Sequence, residues 1–268
     1  MKHRILAFLM AIYLACNVIA APASAGQSSC PQFYTGGVAP DLINEQLSPK
    51  TRELCNEVYA VLHSGLTRTP LYAAEHMTRE NLQRAKGLPR TNSFRPDLRL
   101  PADERAELHD YARSGYDRGH QYCAGDAYTA SGKDGSFLLS NMVPQDPDNN
   151  RILWEGIESA TRTEAKRRGE LYVITGPLFQ GDQLKSLHGR VMIPTGLFKA
   201  IYDPARGEAA AYIAANAPGM DYRVISIAAL EEMTGINLFP ALSSQVKNRS
   251  MRLPVPRPYR QSHGGGAE

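Results

Sequence analysis

The tetrapeptide Asp117-Arg118-Gly119-His120 and the segment that follows it constrain this chain more than any other feature. Residues 139–158, LSNMVPQDPDNNRILWEGIE, add several asparagines and a glutamate to that histidine and arginine. An imidazole, a guanidinium, amide oxygens and a carboxylate are the groups from which reactive sites are built. The rest of the chain has to provide a scaffold that holds these two segments together.

Periodicity and turn signals predict a mixture of strands and helices. We expect strands at residues 56–63, 71–76, 116–120, 170–175, 191–194, 197–202 and 209–215. We expect helices at residues 102–109, 149–168 and 227–234, the last one beginning after Ser226 and ending at Gly235. Strands and helices do not alternate regularly, so the sequence favours an α+β fold.

The first 25 residues carry the pattern of a secretory signal peptide. Lys2 and Arg4 precede an apolar run, and residues 23–25 (ASA) form a small-x-small cleavage site. Because Asn17 interrupts the apolar run, it is short for a membrane span. We therefore favour export and cleavage over a retained membrane anchor, which predicts a secreted or periplasmic protein.

Removal of residues 1–25 leaves a nearly neutral chain with 28 basic and 27 acidic residues. This balance provides no overall electrostatic attraction for nucleic acid, so phosphate binding must come from local clusters of basic residues. The remaining length suits one domain, which we place at residues 26–253. Prolines, glycines and polar residues predict a disordered tail at residues 254–268.

Three cysteines remain after residue 25, namely Cys30, Cys55 and Cys123. In an oxidising compartment a disulfide is expected, and Cys30 and Cys55, which share the N-terminal segment, are the favoured pair. Cys123 is then free. We favour for it the role of a small buried apolar residue, with an oxidisable thiol near the reactive residues as the alternative.

His120 is a residue type that can accept a proton from water near neutral pH. Hydrolysis of a phosphodiester needs such a base, because water alone is a poor nucleophile. Arg118 offers a guanidinium that can grip a phosphate and stabilise charge that develops in the transition state. Arg90, Arg95 and Arg99 form a second basic cluster before the motif, and one of them is expected to reach the phosphate as well.

Asn150, Trp154, Glu158 and Arg162 recur every four residues, which places them along one face of the predicted helix. The carbonyl oxygen of Asn150 suits a hard cation such as Mg²⁺, and Glu158 could accept hydrogen bonds from water around the ion. Helix capping is the simple alternative role for Asn149 and Asn150, and both roles can hold together, with Asn149 capping the helix and Asn150 binding the ion. The spacing also fits a simple surface ion pair between Glu158 and Arg162, and spacing alone does not decide between the two interpretations.

Four blocks of this sequence resemble the DNA/RNA non-specific endonucleases, the ββα-metal nucleases that include secreted bacterial nucleases and mitochondrial endonuclease G. The blocks are DRGH at 117–120, LSNMVPQ at 139–145, the N-x-x-x-W-x-x-x-E series at 150–158 and YVITGPLF at 172–179. The similarity covers roughly residues 68–242. It implies an α+β fold with a mixed, mainly antiparallel sheet, flanking helices and a ββα-metal finger at the active site.

The resemblance also implies a role for each of the residues that carry the chemistry. His120 matches the general base of the family, and Asn150 matches its single direct protein ligand of Mg²⁺. Glu158 matches the acidic residue that organises the water molecules around the metal.

Supporting residues follow from the same resemblance. Arg118 and Asn141 match residues that support the site, and Arg95, in the sequence FRPD, is our choice for the additional phosphate-binding arginine, with Arg90 as the alternative. One position departs from the family pattern, which usually has a proline three residues after the histidine. This chain has Cys123 there, which leaves the geometry of the local loop open.

The implied activity is a Mg²⁺-dependent endonuclease, with Mn²⁺ as an alternative ion, that cleaves DNA and RNA with little sequence preference. No stable membrane insertion is expected after processing, and a homodimer and an inhibitor protein stay open as partners. Two other functions are retained as alternatives. One is a phosphodiesterase acting on a smaller or different substrate. The other is an exported nucleic-acid-binding protein or an inactive relative, and a binding protein would need neither a base nor a metal ligand.

Overall fold

The computed structural model describes residues 28–258. In this part of the chain the strands are β1 (Asp41–Leu42), β2 (Thr51–Cys55), β3 (Ala60–Ser64), β4 (Thr69–Thr78), β5 (Asp117–His120), β6 (Met142–Gln145), β7 (Glu170–Leu178), β8 (Ser186–Leu187), β9 (Val191–Met192), β10 (Gly196–Asp203), β11 (Glu208–Ala215), β12 (Tyr222–Ile225) and β13 (Ile236–Asn237). The helices are α1 (Arg79–Arg84), α2 (Leu108–Tyr111), α3 (Ala130–Gly135), α4 (Glu155–Arg168), α5 (Ile227–Thr234) and α6 (Ser244–Lys247).

Seven strands form one antiparallel sheet in the order β12-β11-β10-β7-β4-β3-β2. The central strands β4, β7, β10 and β11 are buried along most of their length. Such strands are apolar on both sides because both faces of the sheet are covered. The predicted α+β fold with a mainly antiparallel sheet is confirmed.

The two faces of the sheet carry separate cores. One face packs against α5 and the N-terminal segment, where Phe33, Phe198 and Leu230 are buried together. The other face packs against α4, where Trp154 and Val173 belong to the second core. Alternation along each strand explains this division, since neighbouring residues of one strand point to opposite faces.

A smaller strand–strand–helix unit lies on the second face and carries the sequence motifs. Strands β5 and β6 pair antiparallel, with His120 opposite Met142. From β6 the chain enters a π-helical turn, Asn149–Trp154, and continues directly into α4. Helix α4 ends at Arg168, and the next residue, Gly169, has a φ of 105° that suits glycine. The predicted ββα finger is therefore present, as are the predicted bounds of α5, with Ser226 as N-cap and Gly235 following its last residue.

The helix predicted at residues 102–109 is wrong, because only Leu108–Tyr111 is helical there. The carboxylate of Glu104 forms an ion pair with Arg52 of β2. That contact holds residues before position 108 in turns, and the helix begins only after Glu107. A pairing between distant segments thus overrides the local helical pattern.

The predicted disulfide is confirmed, since Cys30 and Cys55 are bonded, and Cys123 is a free, buried cysteine. The bond ties the N-terminal segment to the end of β2. The predicted signal peptide lies outside the described residues. Of the predicted tail, only residues 254–258 are described, and there the Pro254 carbonyl accepts a hydrogen bond from the Tyr212 hydroxyl at 2.5 Å. No helix within residues 28–258 combines the length and the apolar character that a membrane crossing requires.

Candidate active site

A cleft of about 560 Å³ opens on the ββα unit. Its walls come from three parts of the chain, which are residues 90–94, strand β5 with the loop after it, and α4 with the turn before it. The histidine, asparagine, glutamate and Arg118 that the sequence singled out therefore meet in one place. Polar groups that converge in a concave site are the arrangement expected for binding and catalysis.

His120 stands on the wall of the cleft between two aromatic rings. Its ring centroid lies 5.7 Å from that of Phe94 and 5.0 Å from that of Phe137. Its Nε2 is buried and has no hydrogen-bond partner among the described residues, so Nδ1 is the nitrogen left for solvent or substrate. Burial, followed by the positive charges of Arg90 and Arg118, lowers the pKa of His120 to about 3. The imidazole is therefore neutral near pH 7 and can accept a proton.

Two guanidinium groups flank this histidine, and each lies over an aromatic ring. The Arg118 Cζ is 4.1 Å from the centroid of Phe94, and the Arg90 Cζ is 5.3 Å from that of Phe137. Stacking on a ring orients a guanidinium without using its N–H donors. Both arginines therefore keep donors available for an anion in the cleft.

Asn150 lies in the cleft with its amide orientation fixed. Its Nδ2 donates to an oxygen of Asp117 at 2.9 Å, which leaves the carbonyl oxygen as the free end of the side chain. Asp117 is itself held by Arg151, which donates two hydrogen bonds to the carboxylate at 2.8 and 2.7 Å. A carbonyl oxygen presented in this way fits a hard cation such as Mg²⁺.

Asn149 is not a cap, in contrast to the expectation. The side chain is buried and its oxygen accepts from Gln145, while its Nδ2 donates to the Ala215 carbonyl, at 2.8 and 2.9 Å. These bonds anchor the π-helical turn to β6 and β11. Both ends of the Asn149 amide are thus engaged in structural hydrogen bonds, and Asn150 is the asparagine that faces the cleft.

Glu158 lies on the cleft wall formed by α4 and is 6% exposed. Burial raises the pKa of Glu158 to about 7, and the charges of Lys199 and Arg162 oppose that rise. The nearest Arg162 nitrogen is 4.0 Å away, because Arg162 bonds instead to Asp126 at 3.2 Å and to Glu155 at 3.0 Å. The ion pair of Glu158 with Arg162 is therefore long and includes no hydrogen bond.

Four residues spaced by four were predicted to share one face of the helix. Asn150, Glu158 and Arg162 do line the cleft together, but Trp154 does not. Trp154 is 1% exposed and packs in the core on the sheet. The turn Asn149–Trp154 is π-helical and winds less per residue than an α-helix, so residues four apart across it lose their alignment.

Asn141 supports the site without lining it. The side chain is fully buried, accepts from the Tyr122 backbone N–H at 2.8 Å and donates to the Tyr122 and Ser136 carbonyls at 2.9 Å each. This amide therefore fixes the course of the chain directly after His120.

The structure does not bring Arg95, the predicted phosphate ligand, into the cleft. Its guanidinium pairs with Asp134 of α3 at 2.7 Å, and Arg99 is bound to Asp97 at 2.6 Å. Arg90, the alternative, is the member of this cluster that lines the cleft. Asp134 offers Arg95 a partner that the sequence of residues 90–99 does not reveal.

Sequence reasoning gave no role to Asp117, Arg151 and Phe94, although all three line the cleft. Asp117 belongs to the DRGH motif, which was a usable signal. Phe94 precedes Arg95, and no local pattern distinguishes it from a core residue. Arg151 carries no signal of its own, since its role depends on Asp117, a partner in the distant strand β5.

Comparison with known proteins agrees with this geometry. The model of the DNA/RNA non-specific endonuclease family matches residues 39–245. The chain belongs to that family. Nuclease C1 of Cunninghamella echinulata var. echinulata is 31% identical over 240 residues, which is 82% of this chain and 90% of the relative.

Two further proteins are similar over a smaller share of this chain. The mitochondrial nuclease 1 of Schizosaccharomyces pombe is 34% identical over 192 residues, so the match spans 65% of this chain and 60% of that relative. A crystal structure of the EndoG/EndoGI complex superposes with a TM-score of 0.67 at 25% identity, covering 76% of this chain and 94% of that chain. The predicted family and the ββα-metal fold are confirmed.

Proposed function

We propose that this chain is a Mg²⁺-dependent endonuclease that hydrolyses phosphodiester bonds of DNA and RNA with little sequence preference. The observation that carries the proposal is one cleft that holds a neutral histidine, two ring-stacked arginines, an asparagine oxygen and a buried glutamate. A binding protein would need the arginines alone. Membership of a nuclease family supports the same activity.

In the proposed reaction His120 acts as the general base. The ring is neutral near pH 7, so Nδ1 is free to take a proton from the attacking water. Phe94 and Phe137 hold the ring in place from two sides. A fixed ring lowers the entropy cost of bringing the base to the attacking water.

Arg118 and Arg90 bind the phosphate oxygens in this proposal. Charge-assisted hydrogen bonds from guanidinium groups can stabilise the negative charge that grows on the phosphate in the transition state. Contacts of this kind address the backbone and not the bases, which accounts for low sequence preference. The near neutrality of the chain after residue 25 predicts moderate affinity that salt weakens.

The donor set in the cleft fits Mg²⁺, and Mn²⁺ takes the same kinds of ligand. Asn150 offers one neutral oxygen, and Glu158 offers a carboxylate that can accept hydrogen bonds from water bound to the ion. When bound, such an ion neutralises charge on the phosphate and the leaving oxygen. Asp117 and Arg151 keep the Asn150 oxygen turned to the cleft.

We also propose that the chain acts outside the cytoplasm, as a secreted or periplasmic protein. The disulfide between Cys30 and Cys55 supports an oxidising compartment, and the signal-peptide pattern of residues 1–25 supports export. An inhibitor protein and a homodimer stay predictions. The name of the EndoG/EndoGI structure shows only that a related nuclease has an inhibitor.

The test of the function is direct cleavage. Supercoiled plasmid and total RNA are incubated with the wild type, His120→Ala or His109→Ala, with Mg²⁺ or with EDTA. His109 is an exposed histidine outside the cleft and serves as the matched control. We expect the wild type and His109→Ala to degrade both nucleic acids only with Mg²⁺, and His120→Ala to be strongly impaired. Intact but retarded plasmid in all lanes would refute the nuclease and favour a binding protein.

A further inference from the structure

The sulfur of Cys123 lies at the wall of the cleft, three residues after the catalytic histidine. It contacts three polar groups, since it lies 3.0 Å from the Glu158 Oε2, 3.3 Å from the Arg162 Nη1 and 3.3 Å from the Gly125 backbone nitrogen. The residue is 8% exposed. This is not the environment of a small apolar residue, which was the role that the sequence favoured.

The second observation concerns Glu158. Among residues 28–258, the Cys123 thiol provides the one protein hydrogen bond to this buried carboxylate. Arg162 approaches no closer than 4.0 Å, and its Nη1 donates to the sulfur and to Asp126 instead. A buried carboxylate with a single donor depends on that donor for its orientation.

The contacts around the sulfur indicate which group accepts the hydrogen bond from the Cys123 S–H. Arg162 and Gly125 both present N–H groups to it, so the sulfur accepts from both. The S–H proton is then left for Glu158, which can only accept when ionised. Oε2 is fixed by this bond, and Oε1 has no protein partner among the described residues.

We propose that Cys123 is a positioning residue for Glu158, with its thiol holding Oε2 so that Oε1 is presented to the water around the metal ion. This inference rests on the proposed function, because it names how one group of that site is oriented. It also explains what replaces the proline that the family usually has here, since proline has no side-chain donor. Residues that contact the ligands of a metal affect affinity about 10- to 100-fold when they are removed, and Cys123, which acts through Glu158, belongs at the lower end of that range.

The closing experiment compares Cys123→Ala, which removes the donor, with Cys123→Ser, which keeps one. Thr163→Ala, an exposed position on α4, is the control. For each protein we would measure the Mg²⁺ concentration that gives half-maximal cleavage, the kcat at saturating Mg²⁺, and Mn²⁺ binding by calorimetry without substrate. We expect Cys123→Ala to raise both metal constants about tenfold, with Cys123→Ser close to the wild type.

The outcomes distinguish failure of the proposed nuclease function from failure of the role proposed for Cys123. A wild type that neither binds Mn²⁺ nor needs Mg²⁺ refutes the proposed function itself. A metal-dependent wild type whose metal constants are unchanged in Cys123→Ala refutes only the role of Cys123. A merely structural role would lower the melting temperature or the kcat in Cys123→Ala without moving either metal constant, and that result also overturns the inference.

A second measurement does not depend on folding of the cysteine variants. In the full chain with Cys16→Ser, Cys123 is the single free thiol, and its S–H stretching band can be followed by infrared spectroscopy. We expect a low S–H frequency, typical of a thiol that donates to a carboxylate, which rises in Glu158→Ala. An identical frequency in the two proteins would refute the hydrogen bond and the inference with it.

Discussion

At the scale of single residues, the cleft depends on how each ionisable group is surrounded. His120 is kept neutral by burial and by two neighbouring arginines, whereas Glu158 is buried with partners that oppose the rise of its pKa. The imidazole and the carboxylate therefore differ in their surroundings. Burial and nearby positive charge keep the imidazole neutral, whereas the buried carboxylate needs hydrogen-bond donors.

The lowered pKa of His120 predicts an effect of pH on stability. Unfolding returns the ring to a pKa of about 6.5, so between about pH 6.5 and pH 3 the unfolded chain binds a proton that the folded chain excludes. Stability from the neutral ring is complete above that window and is lost as pH falls through it. Because His120→Asn cannot titrate, its stability should decline less, by about 2 kcal/mol between about pH 6.5 and pH 4.5.

Urea unfolding of both proteins across this pH range measures the difference, and His109→Asn, which alters an exposed histidine, is the control. If the wild type and His120→Asn lose stability in parallel, the ring is protonated in the folded protein and the argument for a buried neutral base is wrong.

Substitution of Arg90 and substitution of Arg95 should have clearly different effects on kcat/KM. Arg90 lines the cleft, so Arg90→Ala should lower kcat/KM for DNA on the order of 100-fold, as expected for a lost donor to a charged transition state. The pair of Arg95 with Asp134 is about 40% exposed on both sides and contributes at most about 1 kcal/mol to stability. Arg95→Ala should therefore cleave nearly as well as the wild type, and the opposite ranking would restore Arg95 as the phosphate ligand.

At the scale of elements, the strand–strand–helix unit is held by a contact that only glycine allows. A Cβ at Gly119 would lie 2.0 Å from the Gln145 Oε1 and 2.6 Å from its Cβ. Gln145 in turn binds Asn149, which anchors the turn that carries Asn150. The absence of a side chain at Gly119 therefore connects β5, through β6, to the candidate metal ligand.

Substitution of Gly119 by alanine tests this connection. The added methyl has to displace Gln145, so we expect Gly119→Ala to lose about 1–3 kcal/mol of unfolding free energy and most of its activity. Gly135→Ala is the matched control, because nothing lies within 4 Å of a Cβ at that helical position. The control should gain stability by up to about 1 kcal/mol. If Gly119→Ala and the wild type are equally stable in urea, Gln145 can move aside without a loss of unfolding free energy, and the predicted role of Gly119 is wrong.

The elements also show which parts of the structure the sequence could predict. Helix α5 was predicted with its cap and stop because Ser226 and Gly235 act locally. The absence of the helix at residues 102–109 was not predictable, because it depends on the pairing of Glu104 with Arg52. The same is true of the site. His120, Asn150 and Glu158 carry motif signals, but the choice between arginines and the bond from Cys123 depend on contacts across many residues.

At the scale of the whole molecule, the sheet lies between the cleft and the core that contains Cys30 of the disulfide. The cleft is built on the face that α4 covers, while Cys30 belongs to the core on the opposite face. Stability and catalysis should therefore respond differently when the disulfide is removed.

The double variant Cys30→Ala/Cys55→Ala tests that separation. The bond closes a loop with a sequence separation of 25, so its removal should lower the unfolding free energy by about 3 kcal/mol through the greater entropy of the unfolded chain. The metal requirement and kcat/KM should stay close to those of the wild type at a temperature where both proteins are folded, because no cleft residue among residues 28–258 forms a hydrogen bond with either cysteine. Urea unfolding and plasmid cleavage on the same preparation give both quantities. Loss of cleavage with unchanged stability would mean that the N-terminal segment shapes the cleft through the sheet, and that the two faces are coupled.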